Sequence, residues 1–150
     1  MFRNLIRCLC KDREEGTWKP QLQFGGANVG MTTDIQSGHY IRVGKLIVCF
    51  YYFALSAKGT STGTATLAGF PFPMKSSAAG GDSVFGFVHM VSWNNMNTAY
   101  VLMKLIEETT DSPTARFRGY PAASTGFGTT LLHTDFTDTS SVNGTFIYTD

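Results

Sequence analysis

The side chains that most often carry out acid–base, nucleophilic or metal chemistry are few and widely spaced in this sequence. None of the three histidines, His39, His89 and His133, is within four residues of another, so the spacing that places two of them on one metal ion is missing. Thr134 and Asp135 follow His133 directly, and an aspartate at this distance could orient the imidazole ring. Ser61 stands in a GxSxG pattern, GTSTG at 59–63, but the residues after it have the pattern of a strand and not of the helix that follows a nucleophile elbow, so the sequence does not predict a hydrolytic triad.

Two pairs of carboxylates could supply the acid and the nucleophile or base of a glycoside hydrolase. They are Glu107 with Glu108 and Asp135 with Asp138. Neighbouring residues of a strand point to opposite faces, so Glu107 and Glu108 would not converge if they lie in a strand. Asp135 and Asp138 fit the hydrogen-bonding chemistry of a turn equally well. We therefore expect no catalytic residues and no enzymatic activity of the isolated chain.

The cysteines and glycines give no sign of a bound metal or cofactor. Cys8, Cys10 and Cys49 are an odd number without a repeated spacing, which argues against a disulfide framework and against a CxxC zinc site. Free thiols in a reducing compartment are the simpler interpretation. The glycine-rich segment 25–30 lacks the spacing and the following helix of a phosphate-binding loop. The sequence therefore predicts neither a metal site nor a cofactor.

Charge and hydropathy argue against nucleic acid and against a membrane span. The net charge is +1 and the basic residues are scattered, so the basic stripe of a nucleic-acid-binding protein is missing. The longest apolar run, at 46–55, is far shorter than the roughly 20 residues that cross a bilayer. Arg3 and Arg7 interrupt the apolar start before it reaches the length of a signal peptide, which predicts a product that stays in the cytosol where it is made. Only 15% of residues are charged, and such a surface is often covered in part by another subunit.

The first fifteen residues have the pattern of a short basic amphipathic helix. Their apolar residues recur at i, i+3, i+4 and i+7, and arginines flank this stripe. A helix of this length is marginal alone in water, so it must pack on something. The alternatives are docking onto a partner protein, capping the core of its own domain, or lying on a membrane surface. For the docking hypothesis, the contact residues are Phe2, Arg3, Leu5, Ile6, Arg7 and Leu9.

From residue 16 onward the apolar period changes from that of a helix to that of a strand. Residues 17–24 alternate in polarity, and Gly44–Lys45 has the composition of a two-residue hairpin turn between two strands. The second of these strands, 46–56, is apolar on both faces, which predicts a central strand covered by a second sheet or by another chain. Residues 98–107 could be helical by propensity, but the Asn-rich turn before them favours a strand.

These patterns predict an all-β domain over residues 16–150. The chain closes with a strand at 141–149 that carries Val142, Phe146 and Tyr148 on one side. About eight or nine short strands, separated by Gly, Ser, Asn and Pro clusters, are typical of an antiparallel β-sandwich of the jelly-roll type. The predicted organisation is an N-terminal helix or arm at 1–15 followed by one β-sandwich.

A rigid sandwich can bind ligands through its loops without any catalytic group. The candidate loops are 75–82, 93–97 and 120–128. Aromatic rings at two of them could stack on sugars, and asparagine amides offer the donor and acceptor that neighbouring hydroxyl groups require. The alternative is that these segments are plain polar turns. The predicted glycan-binding residues are Trp93, Asn94, Asn95, Asn97 and Tyr120.

Four segments in the same linear order resemble a module of bacteriophage tail-fibre, head-fibre and related surface-fibre proteins. They are GTWKPQLQFGG at 16–26, SGHYIRVGKLIVCFYYFALSAKG at 37–59, STGTATLAGFPFP at 61–73 and SSVNGTFIYT at 140–149. Phe70 stands where leucine is common in that module, and fifteen residues precede Gly16 where relatives often have a longer fibre shaft. This difference favours a compact knob over a distal fibre tip.

The resemblance implies a structural protein of the virion, a short fibre or a capsid-decoration knob, that assembles as a homotrimer. Residues 1–15 would then dock to other virion proteins of the capsid or tail, and the β domain would contribute to host attachment, with a cell-surface glycan as one candidate receptor. It implies no catalytic residue. The alternatives that stay open are a carbohydrate-binding module without a virion role and, less favoured, a polysaccharide-degrading enzyme.

Overall fold

A computed structural model describes residues 12–74, 91–107, 113–122 and 128–149 of the chain. These residues form ten strands and a 3-10 helix at His133–Asp135. The strands are β1 (Arg13–Trp18), β2 (Gln21–Phe24), β3 (Thr32–Val43), β4 (Leu46–Ala57), β5 (Ala65–Ala68), β6 (Val91–Met96), β7 (Leu102–Glu107), β8 (Ala115–Tyr120), β9 (Thr129–Thr130) and β10 (Phe136–Thr149).

The strands form two antiparallel sheets. Sheet 1 has the order β1-β3-β4-β10-β6, and sheet 2 has the order β2-β5-β8-β7, with β9 pairing to β8. This arrangement confirms the prediction of an all-β chain built from two antiparallel sheets. The jelly-roll connectivity stays a prediction, because residues 75–90, which connect β5 to β6, lie outside the described residues.

The two sheets pack face to face around one apolar core. The ring of Phe53 on β4 lies 6.4 Å from that of Phe117 on β8, and Phe24 on β2 lies 5.3 Å from Phe136 on β10. All four side chains are at most 1% exposed. Aromatic residues bury a large apolar area each, so these contacts between the sheets are a main source of stability.

The alternation predicted for residues 17–24 is present, but the segment is two strands rather than one. Trp18, Pro20, Leu22 and Phe24 are all buried, as their spacing indicates. β1 ends at Trp18 in sheet 1 and β2 begins at Gln21 in sheet 2. Proline cannot donate a ladder hydrogen bond, so the chain leaves one sheet at Pro20 and joins the other.

Several predicted elements keep their type but differ in length. The closing strand is confirmed as β10, and residues 102–107 are a strand, β7, rather than a helix. β3 is a single strand of twelve residues. Gly44 has a φ of 60°, which the two-residue hairpin turn requires.

The N-terminal boundary differs from the prediction. β1 begins at Arg13, so Arg13, Glu14 and Glu15 belong to an edge strand of the sandwich and not to a helix. Their pairing with β3, where Glu15 lies opposite Ile41, gives them the ladder hydrogen bonds of sheet 1. The helical stripe of Phe2, Leu5, Ile6 and Leu9 lies outside the described residues. Within the described part of the chain, no helix is long and apolar enough to cross a membrane.

Candidate binding surface

The polar cluster around His133 and Asp135 is tied to the backbone of its own fold. The Nδ1 atom of His133 accepts a hydrogen bond from the Gly63 N–H at 3.1 Å. Asp135 accepts hydrogen bonds at Oδ2 from the Leu132 N–H at 2.8 Å and at Oδ1 from the Tyr100 hydroxyl at 3.0 Å. The carboxylate therefore orients the strand ends around it and is not hydrogen-bonded to the imidazole.

The electrostatics of this cluster follow from the same contacts. Burial, and next the hydrogen bond to Asp135, raise the pKa of Tyr100 above its ordinary value, so the hydroxyl stays a donor at neutral pH.

Among residues 12–74, 91–107, 113–122 and 128–149, no three His, Cys, Asp or Glu side chains come together in a way that could hold a metal ion. The absence of enzymatic activity stays a prediction.

Two of the predicted glycan-binding asparagines use their amides within the fold. The Asn95 side chain donates to the Thr139 carbonyl at 3.3 Å, and the Asn97 side chain donates to the Thr134 carbonyl at 2.8 Å. Asn95 lies within β6, whereas the sequence predicted a turn at this position. These two amide groups hold β10 and the 3-10 helix beside the end of β6. Fewer of their N–H donors are therefore left for a ligand.

The other predicted residues lie on different sheets. Trp93 and Asn94 are in β6 at the edge of sheet 1, whereas Tyr120 is at the end of β8 in sheet 2. Trp93 is partly buried and packs against the core, while Asn94 is exposed. The structure therefore does not bring Trp93 and Tyr120 together into one site.

The outer face of sheet 1 contains a shallow groove of about 740 Å³. Phe50 and Tyr52 of β4 form its floor and are 44% and 39% exposed. In the β-ladder Phe50 lies opposite His39 of β3, and Tyr52 lies opposite Asn143 of β10. The side chains that line the groove from this face are Ser37, His39, Phe50, Tyr52, Ser92, Asn94, Ser141, Asn143 and Thr145. Exposed aromatic rings flanked by amides and hydroxyls could stack on a sugar and hydrogen-bond its hydroxyl groups.

The same face becomes apolar toward the β3–β4 turn. Val43 and Leu46 are directly opposite each other in the ladder and are 38% and 41% exposed. The next row across the sheet consists of Ile41, Val48 and Ile147, all half-buried. We refer to these five residues as the apolar rows. Exposed apolar patches of this kind occur at protein interfaces, at membrane contacts and at ligand-binding grooves.

The sequence contained a signal for this surface. The segment 46–55 is apolar on both faces, and the expected cover was a second sheet or another chain. Sheet 2 covers the inner side, where Ile47, Cys49 and Phe53 are at most 1% exposed. The described residues leave Leu46 and Phe50 on the outer side open to solvent.

The chain is similar in fold to part of a tailspike protein. It matches the crystal structure of the Dettilon tailspike protein (gp208) over 92% of its length, with a TM-score of 0.59 and 17% sequence identity. The chain spans only 24% of that protein's length. No protein-family model and no characterised protein matches the sequence. At this level of identity the likeness shows that the fold occurs within a tailspike.

Proposed function

We propose that this chain is a structural protein of a bacteriophage virion, a short fibre or decoration knob that trimerises through sheet 1. Three observations support the proposal. Four sequence segments resemble phage surface-fibre modules, the fold is similar to part of a tailspike protein, and the outer face of sheet 1 exposes large apolar side chains. The last observation carries the assembly part of the proposal.

The apolar rows are suited to contact with another copy of the chain. Val43 and Leu46 expose about two fifths of their surface at adjacent ladder positions, so they form one continuous patch with the row behind them. An exposed apolar face is unfavourable in water, and symmetric association would cover it in every subunit. In the proposed trimer, the sandwich would face the host and residues 1–11 would dock to the capsid or tail.

Deleting residues 1–11 tests the anchoring role. The deletion ends at residue 11, because Arg13 to Trp18 form β1 and pair with β3. We expect the shortened chain to keep its circular dichroism spectrum and thermal midpoint, and to be missing from purified particles in a complementation experiment. The full-length wild-type chain, supplied in the same complementation experiment, is the control. Normal incorporation of the deleted chain would disprove the anchoring role.

Carbohydrate binding is a second candidate function, because the groove places Phe50 and Tyr52 between hydroxyl and amide side chains. Binding of a host glycan in the proposed trimer requires that the subunit contact is confined to the apolar rows, because the groove lies beside them on the same face of sheet 1. Tyr52→Ala should weaken adsorption to cells or to a glycan array, whereas Val29→Ala, at an exposed position outside the groove, should not. Equal adsorption by the wild-type chain and Tyr52→Ala would exclude the groove as a glycan site.

A further inference from the structure

The chain enters the sandwich beside the apolar rows. Asp12 lies in a turn, and its carbonyl accepts a hydrogen bond from the Gly44 N–H at 3.1 Å. Arg13 is then directly opposite Val43 in the β1–β3 ladder. Directly opposed residues of neighbouring strands share one face of a sheet, so β1 begins at the edge of the same outer face that carries the apolar rows. Residues 1–11 are therefore joined to the domain at the corner of sheet 1 where these rows begin.

The length of this segment matches the width of the apolar rows. A helix of residues 1–11 would extend about 16 Å. The rows run from β3 across β4 to Ile147 on β10, and β1 is the next strand on the near side of β3. Neighbouring strands are about 4.8 Å apart, so the distance from β1 to β10 across this face is about 14 Å. A helix that crosses the sheet from the start of β1 would therefore reach the far end of the rows.

The composition of the segment fits an apolar surface on one side only. The four apolar residues of its helical stripe fall on one side of a helix, and the opposite side carries Asn4, Arg7 and Lys11. The apolar rows contain no charged side chain. Packing of the stripe on the rows would remove both apolar surfaces from water and leave Arg7 and Lys11 in contact with solvent.

We propose that residues 1–11 lie across the apolar rows as a helix in the monomer, and that formation of the trimer displaces them. The displacement rests on the proposed function, since the segment and the neighbouring subunit would cover the same side chains. The two covers exclude each other, so a chain that has joined a trimer has its N-terminal segment free to dock to the capsid or tail. Because such coupling is reciprocal, docking of the segment in turn favours the trimer. Trimers would therefore anchor to the particle more readily than monomers.

The first experiment measures the exposure of the apolar rows in the monomer. The full chain is diluted to a concentration at which sedimentation velocity shows a monomer, and hydroxyl-radical footprinting with mass spectrometry then gives the oxidation rate of Leu46. Leu5→Asp places a carboxylate in the helical stripe, and Asn4→Asp is the matched control, because it adds the same charge on the opposite side of the helix. We expect oxidation of Leu46 to be about threefold faster or more in Leu5→Asp than in the wild-type chain or the control, because the stripe can no longer be buried without cost. Val29, 65% exposed beyond the other end of β3, is the internal reference and should not change.

The second experiment measures the competition between the segment and the neighbouring subunit. In a dilution series, the concentration at which half of the trimer dissociates should be about tenfold lower for Leu5→Asp than for the wild-type and Asn4→Asp chains. The reason is that a segment that occupies the contact surface lowers the fraction of chains able to assemble.

The outcomes separate this inference from the proposed trimer. Equal oxidation of Leu46 in the wild-type chain and in Leu5→Asp would overturn the inference, whatever the assembly state. Equal dissociation concentrations would overturn the displacement, and weaker assembly of Leu5→Asp would show that the segment belongs to the trimer contact and does not compete with it. A wild-type chain that stays monomeric at every concentration would instead refute the trimer, and the oxidation of Leu46 would still decide whether residues 1–11 cover the apolar rows.

Discussion

Glycines in β1 and β3 make room for aromatic rings on the opposite strand. Trp18 lies opposite Gly38, and Gly16 lies opposite Tyr40. The indole N–H of Trp18 is shared between the carbonyls of His39 and Phe50, at 3.2 and 3.1 Å. These bonds fix the ring over Gly38. The physical reason for the GTW and SGHY segments is therefore cross-strand packing of an aromatic side chain over a glycine.

Gly38→Ala is expected to destabilise the chain by about 1–3 kcal/mol, the usual cost of overpacking a filled site. A Cβ at this position would lie 2.5 Å from Trp18 Nε1, and the two indole hydrogen bonds hinder the ring from moving away. Urea unfolding followed by tryptophan fluorescence measures the change. Ser37→Ala, at the exposed neighbouring position, is the control. A Gly38→Ala midpoint equal to that of the control would contradict this account of the packing.

The Cys49 thiol predicts a loss of stability at alkaline pH. Burial raises its pKa from 9.0 to about 12. The folded state therefore holds this proton over a range where the unfolded state releases it, so the thiol's contribution is complete below pH 9.0 and is lost as the pH rises toward about 12. Between about pH 8 and about pH 10.5, wild-type stability should fall more steeply than that of Cys49→Ala, by at most about 1.4 kcal/mol per pH unit.

Urea midpoints of both proteins across this range measure the effect of Cys49. The tyrosines titrate in both proteins, so the difference between the two curves isolates the thiol. Parallel curves would show that Cys49 ionises equally easily in the folded and unfolded states.

At the scale of elements, the 3-10 helix His133–Asp135 is secured by one carboxylate. Asp135 accepts from the hydroxyls of Thr98 and Tyr100, which lie between β6 and β7, and from the Leu132 N–H. It thus joins the start of β10 to a connection between the two sheets. Hydrogen bonds to a charged group contribute more than neutral ones, since the charge strengthens each of them.

Asp135→Ala should lower the free energy of unfolding by about 2 kcal/mol, because three donors lose their acceptor together. Asp34→Ala is the matched control, since Asp34 is an exposed carboxylate in β3. Chemical denaturation of both variants gives the comparison. If Asp135→Ala were as stable as Asp34→Ala, the carboxylate would not be the tether that its contacts indicate.

The elements that were predictable are those in which side-chain alternation and burial agree. β10 was predicted because Val142, Phe146 and Tyr148 fall on one side of a strand, and all three are buried. The sequence wrongly predicted a loop at 93–97, where β6 continues to Met96, because asparagines usually signal a turn. Asn95 does adopt a positive φ of 56°, but it does so inside a strand, where the β6–β10 register shifts and its amide bonds to the partner strand. Local sequence does not distinguish such an irregularity from a turn.

The candidate site could not be assembled from the sequence, because its location depends on strand order. Trp93 and Tyr120 were grouped as exposed aromatic residues near loops, yet β6 belongs to sheet 1 and β8 to sheet 2. Phe50 and Tyr52 were visible as part of an apolar strand, but only the pairing of β4 with β10 shows that Asn143 lies beside them. Lys104 and Arg118 likewise come together only because β7 pairs with β8 in a register that places them opposite each other.

For the whole molecule, the two outer faces differ in chemistry. Sheet 1 presents the apolar rows next to the aromatic groove, and sheet 2 presents Lys104, Arg116 and Arg118 on its outer side. An apolar face is suited to permanent contact between subunits, whereas charged side chains are suited to contact with solvent. In the proposed trimer, the apolar rows therefore face the neighbouring subunits, and the groove and sheet 2 lie outside this contact.

Leu46→Lys should convert the proposed trimer into a monomer. Leu46 is 41% exposed and adjoins Val43 and Val48, so an ammonium group at this position would be buried without a partner in the subunit contact. Sedimentation velocity at micromolar protein concentration measures the assembly state. Val101→Lys is the matched control: Val101 is 67% exposed and lies next to β7 of sheet 2, so this variant should stay trimeric. A monomeric wild-type chain, or a trimeric Leu46→Lys variant, would refute assembly through the apolar rows.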